Sequence, residues 1–505
     1  MKVYDAASIR NVAVVGHGGS GKTQLVSALL FDAGMVNRLG KVDEGNTVTD
    51  YDEEEISRKH TLAASLAYAE WDKNKINLID TPGFGNFFSD ARAAIHVADG
   101  ALIVVDGVAG VEVQTEKAWD ACEGRQLPRL IVVNRLDRER SSLERTLESL
   151  RLTLNRTIVP IQLPIGEEKH FKGIIDLVSM KVYTYPSDGS GKFSNEESVP
   201  TSMAEAVKTA RETLIEMVAE ADEALMEKFF EAGTLTQEEL VKGLAAATRN
   251  AKIFPLVLTS GIANVGGHPL MDAIVSYLPS PADRPFKAVA NGETVTKTAD
   301  EKAPYAAFVW KTVADQFAGR ITMFRVYQGC LKADATINNV TQGTPERLGH
   351  LIALQGKTPT NVPEFRAGDM GAVAKLKDTR SNDTLAEKAA GIAIEKIVFP
   401  EPVLSYAIEP KSRGDEDKIS TAMHRLEEED PTIKYQRDPQ THELVLAGQG
   451  QMHIEVTVAK LKRRFGVEVL LKPPRIPYRE TITARVEAHG RHKKQTGGHG
   501  QFGDC

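Results

Sequence analysis

Gly16-His-Gly-Gly-Ser-Gly-Lys-Thr23 reads G-x-x-x-x-G-K-T and follows the apolar run Val12-Ala-Val-Val15 without a break. Buried strand, glycine turn and a helix opening at Lys22 are the parts of a phosphate-binding loop. Gly16, Gly18, Gly19 and Gly21 let the backbone N–H groups of the loop, His17 and Ser20 included, converge on phosphate oxygens. Lys22 reaches the β/γ oxygens, Thr23 offers a hydroxyl to Mg²⁺, and the binding set extends to Gln24. Leu25, Leu29 and Ala33 share one face of the following helix, whose positive N-terminal end points at the same anion.

At 505 residues the chain is long enough for three or more domains with their own cores. Hydrophobic content of 42% and charged content of 26% are those of an ordinary globular protein. The net charge of −7 is uneven: positions 457–505 hold eleven Lys/Arg against four Asp/Glu. Such a basic end suggests an anionic partner, nucleic acid first, with Arg463, Arg464, Lys493 and Lys494 as phosphate contacts, unless it is only a solvated charged face. Cys122, Cys330 and Cys505 have no metal-ligand spacing and no disulfide framework, which points to a reducing compartment. No apolar run of membrane-spanning length and no apolar signal core occur, so the expectation is a cytoplasmic monomer without membrane contact.

Strand-like runs at 12–15, 76–79, 101–105 and 130–133 alternate with helical stretches, the pattern of a parallel sheet covered on both faces. Turn-rich Pro186-Ser-Asp-Gly-Ser-Gly191 and a long charged helical run at 204–230 interrupt it before Phe254-Pro-Leu-Val-Leu258 resumes the strands. Leu278-Pro-Ser-Pro-Ala-Asp-Arg-Pro285 is a proline-dense linker, and the short glycine-separated strands after it read as a β-barrel. From Pro402 the order is β-α-β-β-α-β, with Ile419, Met423 and Leu426 on one helix and Ile454, Val458, Leu461 and Phe465 on the other. The expected fold is therefore multidomain α/β: a P-loop nucleotide-binding domain over 1–285 with an insertion at about 160–252, an antiparallel β-barrel over 286–400, and a ferredoxin-like α+β domain over 401–475. Positions 476–505 then read as the start of an incomplete fourth domain.

Four further features complete a guanine-nucleotide site. Asp80-Thr-Pro-Gly83 follows a strand, where Asp80 can hold a Mg²⁺-bound water and the Gly83 N–H can bond the γ-phosphate. Asn134-Arg135-Leu-Asp137 has the N-K-x-D shape of guanine readers, and Asp137 can accept from both N1–H and N2–H₂, a pairing adenine lacks. Ser260-Gly261-Ile262 would present a backbone N–H to guanine O6, and Thr61 is the second hydroxyl for Mg²⁺.

With these motifs the chain resembles translation elongation factor G almost from end to end. Tyr277-Leu-Pro-Ser-Pro281, Gly319-Arg-Ile-Thr-Met-Phe-Arg-Val-Tyr327 and Gly448-Gln-Gly-Gln-Met-His-Ile454 correspond, as do Tyr478-Arg-Glu-Thr-Ile482 and Gln495-Thr-Gly-Gly-His-Gly-Gln501. The resemblance implies GTP/GDP and Mg²⁺ as ligands, the ribosome as partner, and ribosome-dependent GTP hydrolysis coupled to tRNA and mRNA movement. Lys22, Thr61, Gly83 and position 84 would be catalytic.

Departures from the family pattern cluster at the chemistry. The family histidine that orients the attacking water is Phe84 here, whose ring cannot hydrogen-bond a water. Gly19 replaces an aspartate linked to a monovalent cation, Arg58-Lys-His-Thr61 replaces Arg-Gly-Ile-Thr, and Asn134-Arg135 replaces Asn-Lys. These changes suggest a divergent paralogue of the kind called elongation factor G 2-like, with low intrinsic hydrolysis and retained binding. Arg135 can still lay its stem along the base, His17 reads as structural, and His60 is either a group near the γ-phosphate or an ordinary surface histidine. Phe84 itself either packs against Val15 or Leu62 or gates the site. The alternative to an active GTPase is a ribosome-associated switch or protection factor with weak or absent hydrolysis.

Overall fold

The computed structural model describes residues 2–196, 198–315, 319–412 and 414–505. Its first sheet runs in the order Ser65–Trp71, Asn74–Asp80, Ile9–Val15, Gly100–Asp106, Arg129–Asn134, Phe254–Leu258 and Ile158–Pro160. The strands from Asn74–Asp80 through Phe254–Leu258, each expected from an apolar run, are parallel to one another. They are apolar on both faces because both are covered. Val12, Val14, Leu102 and Val104 meet Leu25, Leu29, Leu270 and Ile274 on one side. Ala13, Val15, Ile103 and Val105 meet Ala91, Ala94, Ala118 and Trp119 on the other.

Two strands of this sheet were not anticipated. Ser65–Trp71 is antiparallel to Asn74–Asp80, across a turn in which Asp72 and Lys73 have φ of 42° and 63°. Its residues, Ser-Leu-Ala-Tyr-Ala-Glu-Trp, include no β-branched side chain, so the usual strand signal is weak. Ile158–Pro160 pairs parallel with Phe254–Leu258 at the opposite edge. The inserted segment contributes a separate four-stranded sheet and three helices, Ala204–Glu220, Glu223–Ala232 and Gln237–Arg249. The single helical run expected over 204–230 is thus two helices. Asp222 starts the second by accepting from Ala224 N at 3.0 Å and Leu225 N at 3.1 Å.

After the proline linker comes an eight-stranded antiparallel sheet centred on the long hairpin Ala306–Asp315 and Gly319–Gln328. A hairpin of Phe286–Ala290 and Glu293–Lys297 joins it, paired with Ala393–Ile394. The next unit has four antiparallel strands in the order Lys434–Arg437, Leu444–Gly448, Leu404–Pro410 and Val469–Lys472. Helices Glu416–Glu429 and Gln451–Phe465 enclose Ile419, Met423, Leu426, Ile454 and Leu461, the ferredoxin-like arrangement. Beyond it, Arg491–Lys494 and Gln501–Asp504 form an exposed hairpin. Among the described residues no helix is long and apolar enough to cross a membrane.

Buried polar contacts dock these units. Lys75 Nζ lies 2.7 Å from Asp369 Oδ1, and Arg325 Nη2 lies 2.8 Å from Asp99 Oδ1. Tyr68 N donates to Gln355 Oε1 at 2.8 Å while Gln355 Nε2 donates to Tyr68 O at 3.0 Å, so a barrel side chain completes the edge of the first sheet. The ferredoxin-like unit is tied on by arginines expected to contact nucleic-acid phosphates. Arg463 pairs instead with Glu54 at 3.1 Å, and Arg464 pairs with Asp52 and, at 2.8 Å, with Glu429. The net basic count concealed these partners, because Asp52 and Glu54 lie some four hundred positions earlier and Glu429 lies in the preceding helix. Lys493 and Lys494 are exposed.

Glu429 is the hinge of that contact. Burial alone would raise its pKa, but Lys460 and Arg464 hold the carboxyl down at about 2. A depressed carboxylate stabilises the folded chain above its ordinary value of 4.5, and that stabilisation is lost as pH falls towards 2. Thermal unfolding across this window should show the loss in the parent and a smaller one in Glu429→Gln. The variant is already less stable by about 3–5 kcal/mol, because two cations lose a buried partner.

Candidate nucleotide-binding site

The loop between Ile9–Val15 and helix Lys22–Asp32 is fixed by backbone geometry that only glycine allows at Gly21. It caps the helix at φ 86°, and a Cβ there would lie 2.5 Å from Asn134 Nδ2. Lys22 Nζ curls into the loop and donates to Gly16 O at 3.0 Å and His17 O at 2.8 Å. Burial pulls its ammonium down to about 8, against the opposing pull of Asp80 and Asp50. Gly83, after the strand Asn74–Asp80, backs onto this loop. A Cβ there would meet Gly18 N and Lys22 Nζ at 2.5 Å each. Asp80-Thr-Pro-Gly83 and the phosphate loop therefore share one wall.

Thr23 and Thr61 also come together, their hydroxyls 2.8 Å apart. Thr61 Oγ1 donates to Asp50 Oδ1 at 2.8 Å, and Thr49 Oγ1 donates to Asp80 Oδ2 at 2.7 Å. Asp80 Oδ1 is buried without a hydrogen-bond partner among the described residues. Burial, then the facing Glu55 and Asp80, pushes the Asp50 carboxyl well above the ordinary range, and burial does the same to Asp80. Paired hydroxyls ringed by buried carboxylates, one oxygen unpartnered, fit a hard divalent cation such as Mg²⁺. Asp50 was missed from the sequence, where it precedes the acidic run Asp52-Glu-Glu-Glu55 and reads as one more solvated charge.

The segment carrying Thr61 is held by a short helix, Glu53–Arg58. Asp52 and Glu55 form its capping box, and Glu55 Oε1 also accepts from Leu62 N at 3.0 Å and Ala63 N at 3.1 Å.

Asn134 joins the two ends of the site. Its Nδ2 donates to Ser20 O at 2.9 Å, and its Oδ1 accepts from Gly261 N at 3.0 Å and Thr259 Oγ1 at 3.2 Å. Asp137 Oδ1 accepts from Ser260 Oγ at 2.5 Å, which places the two base-reading loops side by side. Asp137 and half-exposed Ile262 line a cleft of about 450 Å³ whose far wall is the inserted segment, with Lys169 and Pro186. Arg135, with φ 66°, keeps its stem beside Gly21 and its guanidinium 2.7 Å from Asp106 Oδ2. Gln24 Nε2 donates to Gly40 O at 2.9 Å and Gly261 O at 3.3 Å. His17 Nδ1 accepts from Gln114 N at 3.2 Å, a packing contact. Gly19 has open space around it.

Phe84 lies over the phosphate loop. A Cβ on Gly18 would meet its ring at 3.1 Å, and its ring centroid is 4.7 Å from that of His60. It packs with Leu62 and Phe87 against Met452 and Val456 of the ferredoxin-like unit. Of the two packing partners expected for it, Leu62 is present in this cluster; the reach into another unit was not anticipated.

A phosphate loop, a carboxylate-ringed hydroxyl pair and two adjoining base loops define a P-loop GTP-binding protein built like the translation factors. Models of the elongation factor Tu GTP binding domain, elongation factor G domain 2 and elongation factor G domain III match residues 7–280, 304–388 and 399–473. A crystal structure from Thermus thermophilus superposes with a TM-score of 0.86 at 37% identity, over 99% of this chain and 72% of that one. The chain belongs to the elongation factor G family.

Two substitutions test the two ends of the site. Lys22→Ala should weaken GTP binding more than tenfold, since charge-assisted hydrogen bonds contribute about 1.5–3 kcal/mol each. A change under about twofold in a fluorescent GTP titration would count against the phosphate end. Asp137→Asn should shift preference from guanosine to xanthosine nucleotides, because the amide can donate to the new carbonyl. Calorimetry giving unchanged GTP affinity would remove this loop from base recognition.

Proposed function

We propose that the chain is a ribosome-dependent GTPase that couples GTP binding and hydrolysis to movement of tRNA and mRNA, in the cytoplasm and as a monomer. The observation that carries this reading is the docking of the segment bearing Thr61 onto the ferredoxin-like unit. Arg463 and Arg464 hold Glu54 and Asp52, and Phe84 packs on the apolar cluster that Leu62 and Phe87 share with Val456. Whatever orders Thr61 at a γ-phosphate thereby fixes the position of that unit, as a factor working on the ribosome requires. The family membership supports the same partner, and the division at about 285, 400 and 475 is part of the reading.

In this reading Lys22 and the N–H groups of 16–23 hold the phosphates, Gly83 N–H bonds the γ-phosphate, and Asn134, Asp137 and Ser260-Gly-Ile262 hold the base. Thr23 and Thr61 would hold Mg²⁺, with Asp50 and Asp80 around them, and the ion would supply positive charge to the phosphate oxygens.

Phe84 favours a second reading, a switch that binds GTP and hydrolyses it slowly. Its ring lies on Gly18 with no polar atom to orient a water. GTP turnover measured with and without ribosomes separates the two. Phe84→His should raise the ribosome-stimulated rate by about 10²-fold or more if water orientation is the missing element. A family-like rate in the parent with no gain in Phe84→His would show that another group does this, with His60 the neighbour to substitute next.

A further inference from the structure

Away from the nucleotide loops, a cleft of about 810 Å³ opens where the first sheet, the last helix of the insertion and the barrel meet. Six basic side chains line it, Arg125, Arg129, Arg249, Arg284, Lys287 and Arg325, against three acidic ones, Asp99, Glu123 and Glu395. Two of the arginines are rigid parts of the wall. Arg129 is fully buried, with its guanidinium carbon 4.1 Å from the Trp119 ring centroid and 4.7 Å from that of Phe254. It donates to Trp119 O at 3.0 Å and pairs with Glu123. Arg325, also buried, donates to Val97 O at 2.7 Å and Asp99 Oδ1 at 2.8 Å. Even so, the Nε atoms of Arg129, Arg325 and Arg249 are buried without an acceptor among the described residues.

Arg284 comes from the linker and hangs over the same space. It donates to Arg125 O at 3.0 Å and Gln126 O at 3.2 Å, and no carboxylate among the described residues lies within ion-pair distance. Burial pulls its pKa down against the opposing pull of Asp99, and Arg325 and Arg125 push in the same direction as burial. His96 on the same wall is driven to about 3 by burial and then by Arg125, so it stays neutral and offers these cations no charge. Like charges held this close in a partly dry cleft are costly unless an anion joins them.

We infer that this cleft is a second anion site, separate from the GTP site, that takes a diphosphate or longer polyphosphate group. Arg249 also pairs with Asp283 at 3.6 Å, which leaves an excess of two positive charges, from Arg284 and Lys287, still more than one monoanion neutralises. The planar guanidinium groups suit phosphate oxygens, and the volume is that of a small-ligand pocket. Inorganic polyphosphate and the phosphate chain of a nucleotide share this chemistry. The Phe286 and Tyr327 rings, 4.8 Å apart on the same wall, give a nucleobase somewhere to pack. A ligand touching Arg125, Arg284 and Arg325 would bridge the GTPase domain, the linker and the barrel.

The test is calorimetric titration of pyrophosphate into the chain already saturated with GDP and Mg²⁺, with Mg²⁺ in excess of pyrophosphate. One additional site is expected. Arg284→Gln together with Lys287→Gln should weaken it about tenfold or more while leaving GDP affinity and the melting temperature unchanged, since both positions are partly exposed. A second equivalent of GDP that competes with pyrophosphate and weakens in the same variant would identify a nucleotide as the ligand; a pyrophosphate site that excess GDP leaves untouched would identify an inorganic chain. No additional site at millimolar pyrophosphate, or equal binding in parent and variant, overturns the inference.

Discussion

Asp50, Glu55 and Asp80 are packed out of water at one end of a parallel sheet, and Lys22 is the cation whose field reaches both aspartates. Burying that much negative charge around two threonine hydroxyls is unfavourable for the bare chain and favourable once a divalent cation shares the site. The arrangement dictates much else. Glu55 must spend its oxygens on backbone N–H groups, which folds the segment back on itself and brings Thr61 to Thr23. Asp52, one turn away, is left to face outward and meets Arg464. Local electrostatics at the phosphate end therefore sets where a unit four hundred residues later can sit.

What could be read in advance follows from distance along the chain. The phosphate loop, the Asp80 and Asn134 motifs and the alternating units were legible because each is a fixed local spacing behind an apolar strand. Ser65–Trp71 was not, since Leu, Ala, Tyr and Trp carry a strand only when Asn74–Asp80 is already there to pair with it. Asp50 was hidden by acidic neighbours that share its charge and differ from it in burial alone. Arg463 and Arg464 misled for the opposite reason: counting charge finds an excess, and partners supplied from another unit cannot be counted that way.

Phe84 shows how one substitution serves two neighbours. Where the family carries a polar ring, this chain has an apolar one that closes over Gly18 and extends a small apolar cluster to Met452 and Val456. The contact between the phosphate-loop wall and the ferredoxin-like unit thereby gains hydrophobic area as the wall loses a hydrogen-bonding group.

Gln355 has a bearing on how the chain behaves in pieces. By bonding both the N–H and the carbonyl of Tyr68, it occupies the one edge of the first sheet that ends in an antiparallel strand, and Gly356 N adds a bond to Leu66 O at 3.0 Å. Open strand edges are templates for pairing with other chains. The barrel thus acts as a cover for its neighbour's sheet. A GTPase domain severed at the proline linker would carry a sticky border that the intact chain keeps shut, and its solubility would depend on a partner it no longer has.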